Sequence, residues 1–530
     1  MIHFSEKTLK LDKGKVLADF ELDAFANLMI EAELDEEAEL EILIGEVLSA
    51  DKNSIERTPG GFRTIRSMNK VCAAGKSCFA FDIPLHQSPY WHTVTVRTPL
   101  EAGSEVVPFR YVEINGGSGS VKLIRKELYG EFDDNAADFV SDNEELNKIW
   151  NFSKYSMKAT GAFGIYIDGE RERKPYEGDA FTNLLGDLCS GGSWQTAFAT
   201  LRWLFNYPTY PTEWQLLAPF LLRDFLLYSG QESLSQSLLS LLKNRMDKLF
   251  LQIDDDGFLR DGHAAGDSRC CGTLGERLDI VDWPISERDN YEFGEVNLVP
   301  NCYLYGALKV MNQLSGDEKY LRQAEKLRQS LISQMYRKET GLFVDNPDSE
   351  HTSLHSAFFP IYFGVTENMD IEPLKRVIKS QKMLCSVYGA HFLIESSFDN
   401  GLADHAFDLL LSHDLRSYHN MLAKGATISM ESWDDSLKPN QDWNHAWGAA
   451  PANLIPRCIA GIRPLEAGFH KFSVNPNPGT LEKFYLKHPT PYGSVELEYC
   501  GGKYTLTVPE GTVAVTESGE FSAGKHTFGK

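Results

Sequence analysis

A run of charged residues from Asp168 to Asp179 is the first stretch whose composition could support chemistry. It holds eight charged residues in twelve positions, in the sequence "DGERERKPYEGD". Pro175 and Gly178 disfavour a helix there, so we place the run on a loop, with Asp179 near the start of the next helix. Charge runs are usually solvated, so composition alone favours a surface loop and leaves a site as the alternative.

A second stretch, residues 425–464, combines carboxylates with large aromatic rings. Core packing explains each tryptophan, taken singly, about as well as a ligand site does. Aromatic rings beside acids are also how a pocket binds sugar, because sugar rings stack on aromatic faces and hydroxyl groups bond to acids and amides. The residues that stand within seventeen positions are Glu431, Trp433, Asp434, Asp435, Asp442, Trp443, His445 and Trp447. Two further segments repeat the theme, with Trp214 and with Asp282 beside Trp283.

Motifs for other reactions do not occur in the sequence. It has no glycine-rich phosphate loop, no Gly-x-Ser-x-Gly and no His-Glu-x-x-His. The fourteen histidines form no metal-ligand spacing, and the nine cysteines include no Cys-x-x-Cys pair. We therefore expect no metal and no cofactor. A carboxylate mechanism remains, and glycoside hydrolysis needs one protonated acid and one carboxylate.

The composition bounds the partners and the location of the protein. The 530 residues carry a formal net charge of −23, which repels phosphate backbones and anionic lipid. No apolar window is long enough for a membrane span, and the N-terminus lacks the apolar core of a signal peptide. An odd number of cysteines favours free thiols in a reducing compartment. We expect a cytoplasmic protein that binds neither nucleic acid nor membrane, with a homodimer as the commonest oligomeric form.

The elements that position the two stretches follow the order β, α, β. Residues 1–125 have strand-like runs between turns, which predicts an N-terminal β-sandwich, and residues 126–140 are expected to form a linker. Residues 141–460 are dominated by helical patterns with long aromatic and acidic loops, which fits an (α/α) barrel. Residues 461–530 return to short strands and turns and are predicted to form a C-terminal β domain.

Taken together, the two stretches resemble the motifs of the family 78 glycoside hydrolases, the α-L-rhamnosidases. The residues that carry the resemblance are Asp168, Arg171-Glu172-Arg173, Tyr176 and Gly178-Asp179, followed by Glu431 and Trp433 in "GATISMESW", His445 in "NH" and the run "GIRP". The resemblance covers roughly residues 140–500. It implies a multidomain protein with an (α/α)6-barrel catalytic domain, flanked by N-terminal and C-terminal β-sandwich domains.

By this resemblance, Glu172 is the general acid and Glu431 the general base of an inverting hydrolase that releases terminal non-reducing α-L-rhamnose from rhamnosides. We expect its substrates to be rhamnose-containing small glycosides or oligosaccharides. Inversion would place the two carboxylates about 6.5–9.5 Å apart, with a water between them. The residues expected to bind the sugar are Asp168, Arg171, Tyr176, Asp179, Trp214, Asp282, Trp283, Trp433 and His445. Arg173 is expected to tune the acid or to bind the sugar.

Departures from the family motif leave alternatives open. The first motif is shorter than the family's common form between its aspartate and its glutamate, so Glu170 remains a rival for the general acid. Otherwise we expect Glu170, Lys174 and Glu177 to be solvated. Two other functions also fit, an (α/α)-barrel glycosidase acting on another sugar and a non-catalytic carbohydrate-binding protein. A binding protein has no need of an acid and base pair, so Glu172 and Glu431 together favour an enzyme.

Overall fold

The computed structural model describes residues 1–12, 14–89, 94–261 and 277–529, with strands at both ends and helices between them. The N-terminal strands, β1 to β7, span Ile2–Asp12, Lys15–Leu34, Ala38–Gly45, Ile65–Cys72, Gly75–Ala80, Val107–Asn115 and Ser118–Leu128. The helices, α1 to α14, span Glu144–Thr160, Glu177–Ser190, Trp194–Asn206, Thr212–Leu216, Ala218–Ser229, Glu232–Phe250, Leu298–Ser315, Lys319–Met335, Leu354–Tyr362, Glu372–Gln381, Val387–Asp399, Ala403–Leu410, Tyr418–Ala423 and Pro451–Leu454. The other strands, β8 to β18, span Asp138–Ser141, Tyr336–Arg337, Leu342–Phe343, Ile462–Pro464, Lys471–Val474, Lys483–Thr490, Gly493–Cys500, Lys503–Val508, Val513–Thr516, Gly519–Phe521 and Gly524–Gly529.

The N-terminal strands form one antiparallel sheet with the order β1-β7-β2-β6-β3-β4, and β5 pairs with β2. The long strand β2 changes partners along its length. Its first part pairs with β6 across an irregularity between Asp19 and Ala24, and its second part pairs with β7 and β5. Both halves of the sheet contribute apolar side chains to one buried cluster, which includes Leu28, Ile42 and Val121. The region predicted as a β-sandwich is therefore joined into a single sheet by β2.

Helix α1 begins where the local sequence supplies a cap. The side chain of Asn143 accepts a hydrogen bond from the Leu146 N–H at 3.0 Å. Glu144 and Glu145 occupy the first turn, where negative charge interacts favourably with the helix dipole. Leu146 and Trp150 then bury one face of the helix. This helix opens the region that carries both candidate stretches.

The helices of the central region form two sets. Helices α2, α5, α7, α9, α11 and α14 contact one another in succession, and α14 returns to α2, so that they close a ring. Helices α1, α3, α6, α8, α10 and α12 each pack against members of this ring. In α7 and α11, polar and apolar positions are buried on every face, whereas α8 and α10 bury a single apolar stripe.

The segment predicted as a linker, residues 126–140, is strand at both of its ends. β7 continues to Leu128, and β8 pairs with β13 at the edge of a C-terminal sheet. Phe139 explains this pairing, because its ring packs against Phe484 and Trp150 with centroids 6.1 and 6.0 Å away. Burial of that ring is more favourable than its exposure in a solvated linker, so the linker prediction is wrong there.

The C-terminal strands form two sheets, with the orders β18-β15-β14-β13-β8 and β11-β12-β16-β17. Their apolar residues, among them Phe472, belong to the same buried cluster as the helices. The N-terminal sheet has its own core and meets the helical region through a smaller cluster that includes Phe25, Val106 and Phe163. The charged run at 168–179 therefore lies where the N-terminal sheet meets the helices. None of the helices in the described ranges has the length and hydropathy of a membrane span.

Candidate active site

The charged run at 168–179 folds into a tight loop that leads into α2. The Asp168 N–H donates to the Lys174 carbonyl, and Asp168 Oδ1 accepts from the Lys174 N–H, both at 2.9 Å. These two bonds close the loop. Gly169 is required within it, because a Cβ there would lie 2.4 Å from the Asp442 carboxylate. The loop is therefore packed closely against the second candidate stretch.

Burial separates this run from an ordinary solvated loop. Glu170 and Glu177 were expected to be solvated, but both are buried. Glu170 pairs with Arg173 at 2.8 Å, and Glu177 pairs with Arg245 at 2.6 Å. The expectation is wrong because each buried carboxylate has a guanidinium partner that offsets the loss of hydration. Lys174 is partly exposed.

The second stretch folds back on itself beside the first. The Glu431 N–H donates to the Asp442 carbonyl at 3.2 Å, and the Trp447 indole N–H donates to the Glu431 carbonyl at 3.0 Å. Asn444 Oδ1 accepts from the Glu170 N–H at 2.7 Å. These bonds hold the Glu431 backbone in place and join two segments that are far apart in the sequence.

Arg171 links the two carboxylates that the sequence singles out. Its guanidinium forms a bidentate pair with Glu431, Nη1 to Oε2 at 2.6 Å and Nη2 to Oε1 at 2.7 Å. The same Nη2 lies 3.4 Å from Oε1 of Glu172. These two oxygens of Glu172 and Glu431 are no farther apart than the sum of those two distances. The guanidinium stands between the carboxylates, where a water was expected.

Glu431 is a buried and ionised carboxylate. Burial raises its pKa, but the charges of Arg171 and Lys438 outweigh burial and lower the pKa to about 2. The Lys438 ammonium lies 3.3 Å from Glu431 Oε1. Such a carboxylate is available to accept a proton, but it is a weak base while both cations remain in contact.

Glu172 shares its surroundings with a phenol and a second acid. The Tyr176 hydroxyl donates to Glu172 Oε2 at 2.7 Å. Burial first, and then the charge of Glu172, raises the pKa of Asp168 well above its usual range. Asp168 therefore keeps its proton at higher pH than a free carboxyl group does, directly beside the candidate acid.

His445 is held as an imidazolium between two carboxylates. Its Nε2 lies 2.7 Å from Asp179 Oδ1, and its Nδ1 lies 3.1 Å from Asp442 Oδ1. Burial lowers the pKa of this imidazole, but Asp179 and Asp442 outweigh burial and raise the pKa well above its usual range. With both nitrogens protonated, His445 fixes the orientation of the two aspartates.

Aromatic rings pack along one side of the site. Tyr176 meets Trp214 edge to face at 5.5 Å, and Trp214 meets Trp447 at 6.0 Å. Gly178 permits this packing, because a Cβ there would lie 2.8 Å from the Trp214 ring. Trp214 Nε1 is buried without a hydrogen-bond partner among the described residues. It is a donor that a ligand hydroxyl could satisfy.

Asp282, predicted to contact sugar, belongs to the core. Its carboxylate is buried and bonds to His355 Nε2 at 2.8 Å, to the Ser386 N–H at 2.9 Å and to the Trp283 N–H at 2.8 Å. Both oxygens are therefore occupied by groups of the protein. This contradicts the predicted sugar contact, because a ligand hydroxyl would have to displace one of these buried bonds.

Trp433 also differs from its predicted role. It is fully buried and donates its indole N–H to the Cys385 carbonyl at 2.8 Å. Its ring therefore fills the core and presents no face to a ligand, which contradicts the predicted sugar contact. Trp283, in contrast, is partly exposed against the same core, so its sugar contact stays a prediction.

The remaining charges of the first loop face the N-terminal region. Arg173 pairs with Glu170 at 2.8 Å and with Glu105 at 2.9 Å, and it donates to the Val106 carbonyl at 2.6 Å. His86 Nδ1 lies 3.3 Å from Glu170 Oε1. The Glu170 carboxylate therefore contacts the N-terminal side of the loop and not Glu431, which argues against its predicted role as a rival general acid. Arg173, expected to tune the acid or bind sugar, anchors the loop instead.

Several residues of the site were not predicted from the sequence. Lys438 and Asn444 lie within the second stretch, where the density of polar residues was a usable signal. Phe62 and Arg63 come from the N-terminal region, and Arg63 lies 3.1 Å from Asp435, 372 positions later. The sequence "TPGGF" is typical of an ordinary turn, so only the fold could show the contact between Arg63 and Asp435.

Two groups of described residues hold ligand atoms close enough for a metal ion. They are Glu431 with Asp442 and His445, and Glu145 with His413 and His419. In the first group both His445 nitrogens already contact carboxylates, and Arg171 and Lys438 contact the Glu431 oxygens. In the second group the two rings stack 3.8 Å apart and 7° from parallel, so they cannot both point a nitrogen at one ion. Neither arrangement fits a resident metal.

Comparison with protein families identifies the helical region. The bacterial alpha-L-rhamnosidase 6 hairpin glycosidase domain matches residues 134–459, and the bacterial alpha-L-rhamnosidase C-terminal domain matches residues 461–516. The first match alone covers more than half of the chain. The chain therefore belongs to the bacterial α-L-rhamnosidase family, and the resemblance inferred from the two motifs is confirmed. Comparison with curated proteins gave no match.

Solved structures of rhamnosidases share the fold. The GH78 rhamnosidase of Bacillus sp. GL1 is 16% identical with a TM-score of 0.71, and the α-L-rhamnosidase of Dictyoglumus thermophilum is 17% identical with a TM-score of 0.74. The Streptomyces avermitilis α-L-rhamnosidase, solved in complex with L-rhamnose, is 15% identical with a TM-score of 0.74. The matches cover 95%, 97% and 99% of this chain but 52%, 58% and 53% of those structures. The chain thus spans little more than half the length of these proteins. The common fold is a helical domain between β-sheet domains.

Proposed function

We propose that this protein hydrolyses terminal α-L-rhamnose from rhamnosides with inversion at the anomeric carbon. The observation that carries the proposal is the Arg171 bridge, which holds Glu172 and Glu431 together although Arg171 and Glu431 are 260 positions apart. A buried pair of carboxylates is what acid and base glycoside hydrolysis needs. Membership of the α-L-rhamnosidase family, and the complex of the Streptomyces protein with L-rhamnose, support rhamnose as the sugar.

In the proposed reaction, Glu172 gives its proton to the glycosidic oxygen as the bond to the anomeric carbon breaks. Glu431 takes a proton from a water that attacks the opposite face of that carbon. The products are rhamnose of inverted configuration and the free alcohol, and one water is consumed. Glu172 is then reprotonated from solvent, and Asp168 beside it can relay that proton.

Arg171 has to move for this reaction to proceed. A base with a pKa of about 2 removes a proton poorly, and the attacking water needs the space that the guanidinium occupies. We propose that sugar hydroxyls take over some hydrogen bonds of Arg171 when substrate binds. The guanidinium then leaves Glu431, the pKa of Glu431 rises and the gap between the two carboxylates opens.

The sugar would lie beside the aromatic packing and the imidazolium-linked aspartates. Trp214 Nε1 offers a buried donor, and Tyr176 presents its ring next to the proposed acid. The residues that we propose to contact the sugar are Asp168, Arg171, Tyr176, Asp179, Trp214, Trp283 and His445.

We further propose that the helical region is an (α/α)6 barrel between β-sandwich domains. Two sets of six helices support this proposal. The inner set closes a ring, and each helix of the outer set packs against members of that ring. The shared core between the two halves of the N-terminal sheet supports a sandwich there.

A panel of p-nitrophenyl glycosides tests the function. Release of p-nitrophenol from the α-L-rhamnoside alone is the expected result. Release only from another glycoside would establish an enzyme for another sugar, and no release from any glycoside would leave a carbohydrate-binding protein. NMR of the first anomer formed tests inversion, and an initial product of retained configuration would refute it. The cytoplasmic location and a homodimer stay predictions.

A further inference from the structure

We propose that Phe62, from the N-terminal region, forms an aromatic platform for the leaving group of the substrate. The inference rests on the proposed function and concerns the same site. Phe62 lies in the loop of residues 60–64, between β3 and β4. This loop belongs to the N-terminal region, whereas the proposed acid and base belong to the helical region. The chemical class that this platform fits is an aryl rhamnoside.

Hydrogen bonds and an ion pair fix this loop against the second stretch of the site. The Phe62 N–H donates to the Gln441 carbonyl at 3.1 Å. Arg63 Nη1 lies 3.1 Å from Asp435 Oδ2, and the Arg63 guanidinium lies over the Trp443 ring, 4.6 Å from its centroid. The backbone that carries the phenyl ring is therefore held in place at Phe62 itself and at the next residue.

Two glycines shape the loop for this contact. Gly60 and Gly61 have φ values of 71° and 55°, in the left-handed region that favours glycine. A Cβ on Gly61 would lie 2.2 Å from the Gln441 carbonyl oxygen, so a side chain there would push the loop away. The loop is preorganised before any ligand binds, which lowers the cost of using it as a binding surface.

The Phe62 ring approaches the acid–base pair through Arg171. The guanidinium carbon of Arg171 lies 5.6 Å from the ring centroid, and the same guanidinium binds Glu431 and contacts Glu172. Phe62 is 38% exposed, whereas Glu172 is 9% and Glu431 is 1% exposed. The ring therefore stands on the solvent side of the buried carboxylates.

The position of the Phe62 ring determines which part of a bound rhamnoside it can contact. The rhamnose ring has to lie among the buried carboxylates, whereas the leaving group has to extend from the glycosidic oxygen toward solvent. A phenyl ring forms no conventional hydrogen bonds, so it suits a flat apolar group stacked on its face. A single exposed phenylalanine needs no explanation on a protein surface. The fixed backbone and the contact with Arg171 distinguish Phe62 from such a residue.

The test compares two substrates in matched variants. Initial rates of wild type, Phe62→Ala and Phe62→Tyr are measured with p-nitrophenyl and with methyl α-L-rhamnoside, and kcat/KM is compared for each. We expect Phe62→Ala to lose about 3–10-fold more on the aryl than on the methyl substrate, as loss of one aromatic stacking contact predicts. Phe62→Tyr should restore the aryl preference. Phe4→Ala, which removes an exposed ring from β1, is the control and should leave the ratio of the two substrates as in wild type.

The outcomes separate the inference from the proposed function. Equal losses on both substrates, or none, in an active and folded Phe62→Ala would overturn the platform while leaving the hydrolase intact. Phe62→Leu keeps an apolar cover over Arg171, so a selective aryl loss in that variant also excludes a mere folding defect in Phe62→Ala. A wild type that cleaves neither rhamnoside would overturn the proposed function, and the platform with it.

Discussion

Arg171 and Arg173 stand two positions apart in one loop, and both are buried, but they do different work. Arg171 reaches across the helical region to Glu431, the general base of the proposed reaction. Arg173 reaches the opposite way, to Glu105 and the Val106 carbonyl of the N-terminal region. One charged run thus has a half that contacts the proposed acid and base, which we call the catalytic half, and a half that contacts the N-terminal region, which we call the anchoring half.

The difference shows that residue type and burial do not tell which of two buried arginines contacts the candidate acid and base. In each arginine, burial lowers the pKa and neighbouring carboxylates outweigh burial and raise it. The partners make the separation. Arg173 has a φ of 47°, in the left-handed region, and its side chain contacts the N-terminal region, whereas that of Arg171 contacts Glu431. Partners therefore assign the roles.

The largest expected effect is the loss of turnover in the catalytic half. Glu172→Gln and Glu431→Gln should each lower kcat about 10²–10⁴-fold on p-nitrophenyl α-L-rhamnoside, because each removes one proton-transfer group. Glu170→Gln is the matched control from the anchoring half and should keep turnover near that of wild type. If Glu170→Gln lowered kcat as much as Glu172→Gln, the assignment of Glu170 to the anchoring half would be wrong.

The next effect is on stability and belongs to the anchoring half. Arg173→Met leaves Glu105 and Glu170 buried without their cation, which should lower the free energy of unfolding by about 3–5 kcal/mol. Arg171→Met should cost less stability, since Lys438 still contacts Glu431. Urea unfolding of both variants measures the difference. Equal destabilisation would show that both arginines anchor the fold to the same degree.

A smaller effect concerns the acidic limb of the pH profile. Arg171 contributes to the low Glu431 pKa of about 2, so wild type should keep an ionised base at all working pH values. Arg171→Gln should raise that pKa by about 1–3 units and move the acidic limb of kcat/KM to higher pH. Arg173→Lys keeps the anchoring charge and should leave the limb in place. An unmoved limb in Arg171→Gln would contradict the assigned base.

The sequence singled out the residues of the proposed catalytic half more readily than those of the anchoring half. Glu172 and Glu431 could be paired because the family motif spans both loops, and the β, α, β order followed from hydrophobic patterns. The sequence could not show that Asp282 and Trp433 are core residues, because a buried carboxylate and a core indole look the same in sequence as residues that bind a ligand. Glu105 gave no signal, since only the fold brings it to Arg173.

The last prediction concerns a pH-sensitive contact within the anchoring half. Glu46 Oε1 accepts from Asn444 Nδ2 at 3.0 Å, and Asn444 Oδ1 accepts from the Glu170 N–H at 2.7 Å. Burial raises the pKa of the neighbouring Asp23 to about 6, and burial and the Asp23 charge raise that of Glu46 well above its usual range. The N-terminal sheet therefore carries a protonated carboxyl pair, Asp23 and Glu46, that is linked to the site loop through Asn444.

The sign of the pH dependence follows from those raised values. The folded state binds this proton more tightly than the unfolded state, so the stabilisation is complete below the usual carboxylate pKa of about 3.9. It is lost as the pH rises through about 6. Asp23→Asn should therefore lose less thermal stability than wild type between pH 5 and pH 8, by about 1.4 kcal/mol per unit of pKa shift. Asp19→Asn removes a carboxylate whose pKa is lowered, so its stability should follow the wild-type slope in that window. An Asp23 variant with that same slope would show that the proton does not couple the sheet to the site loop.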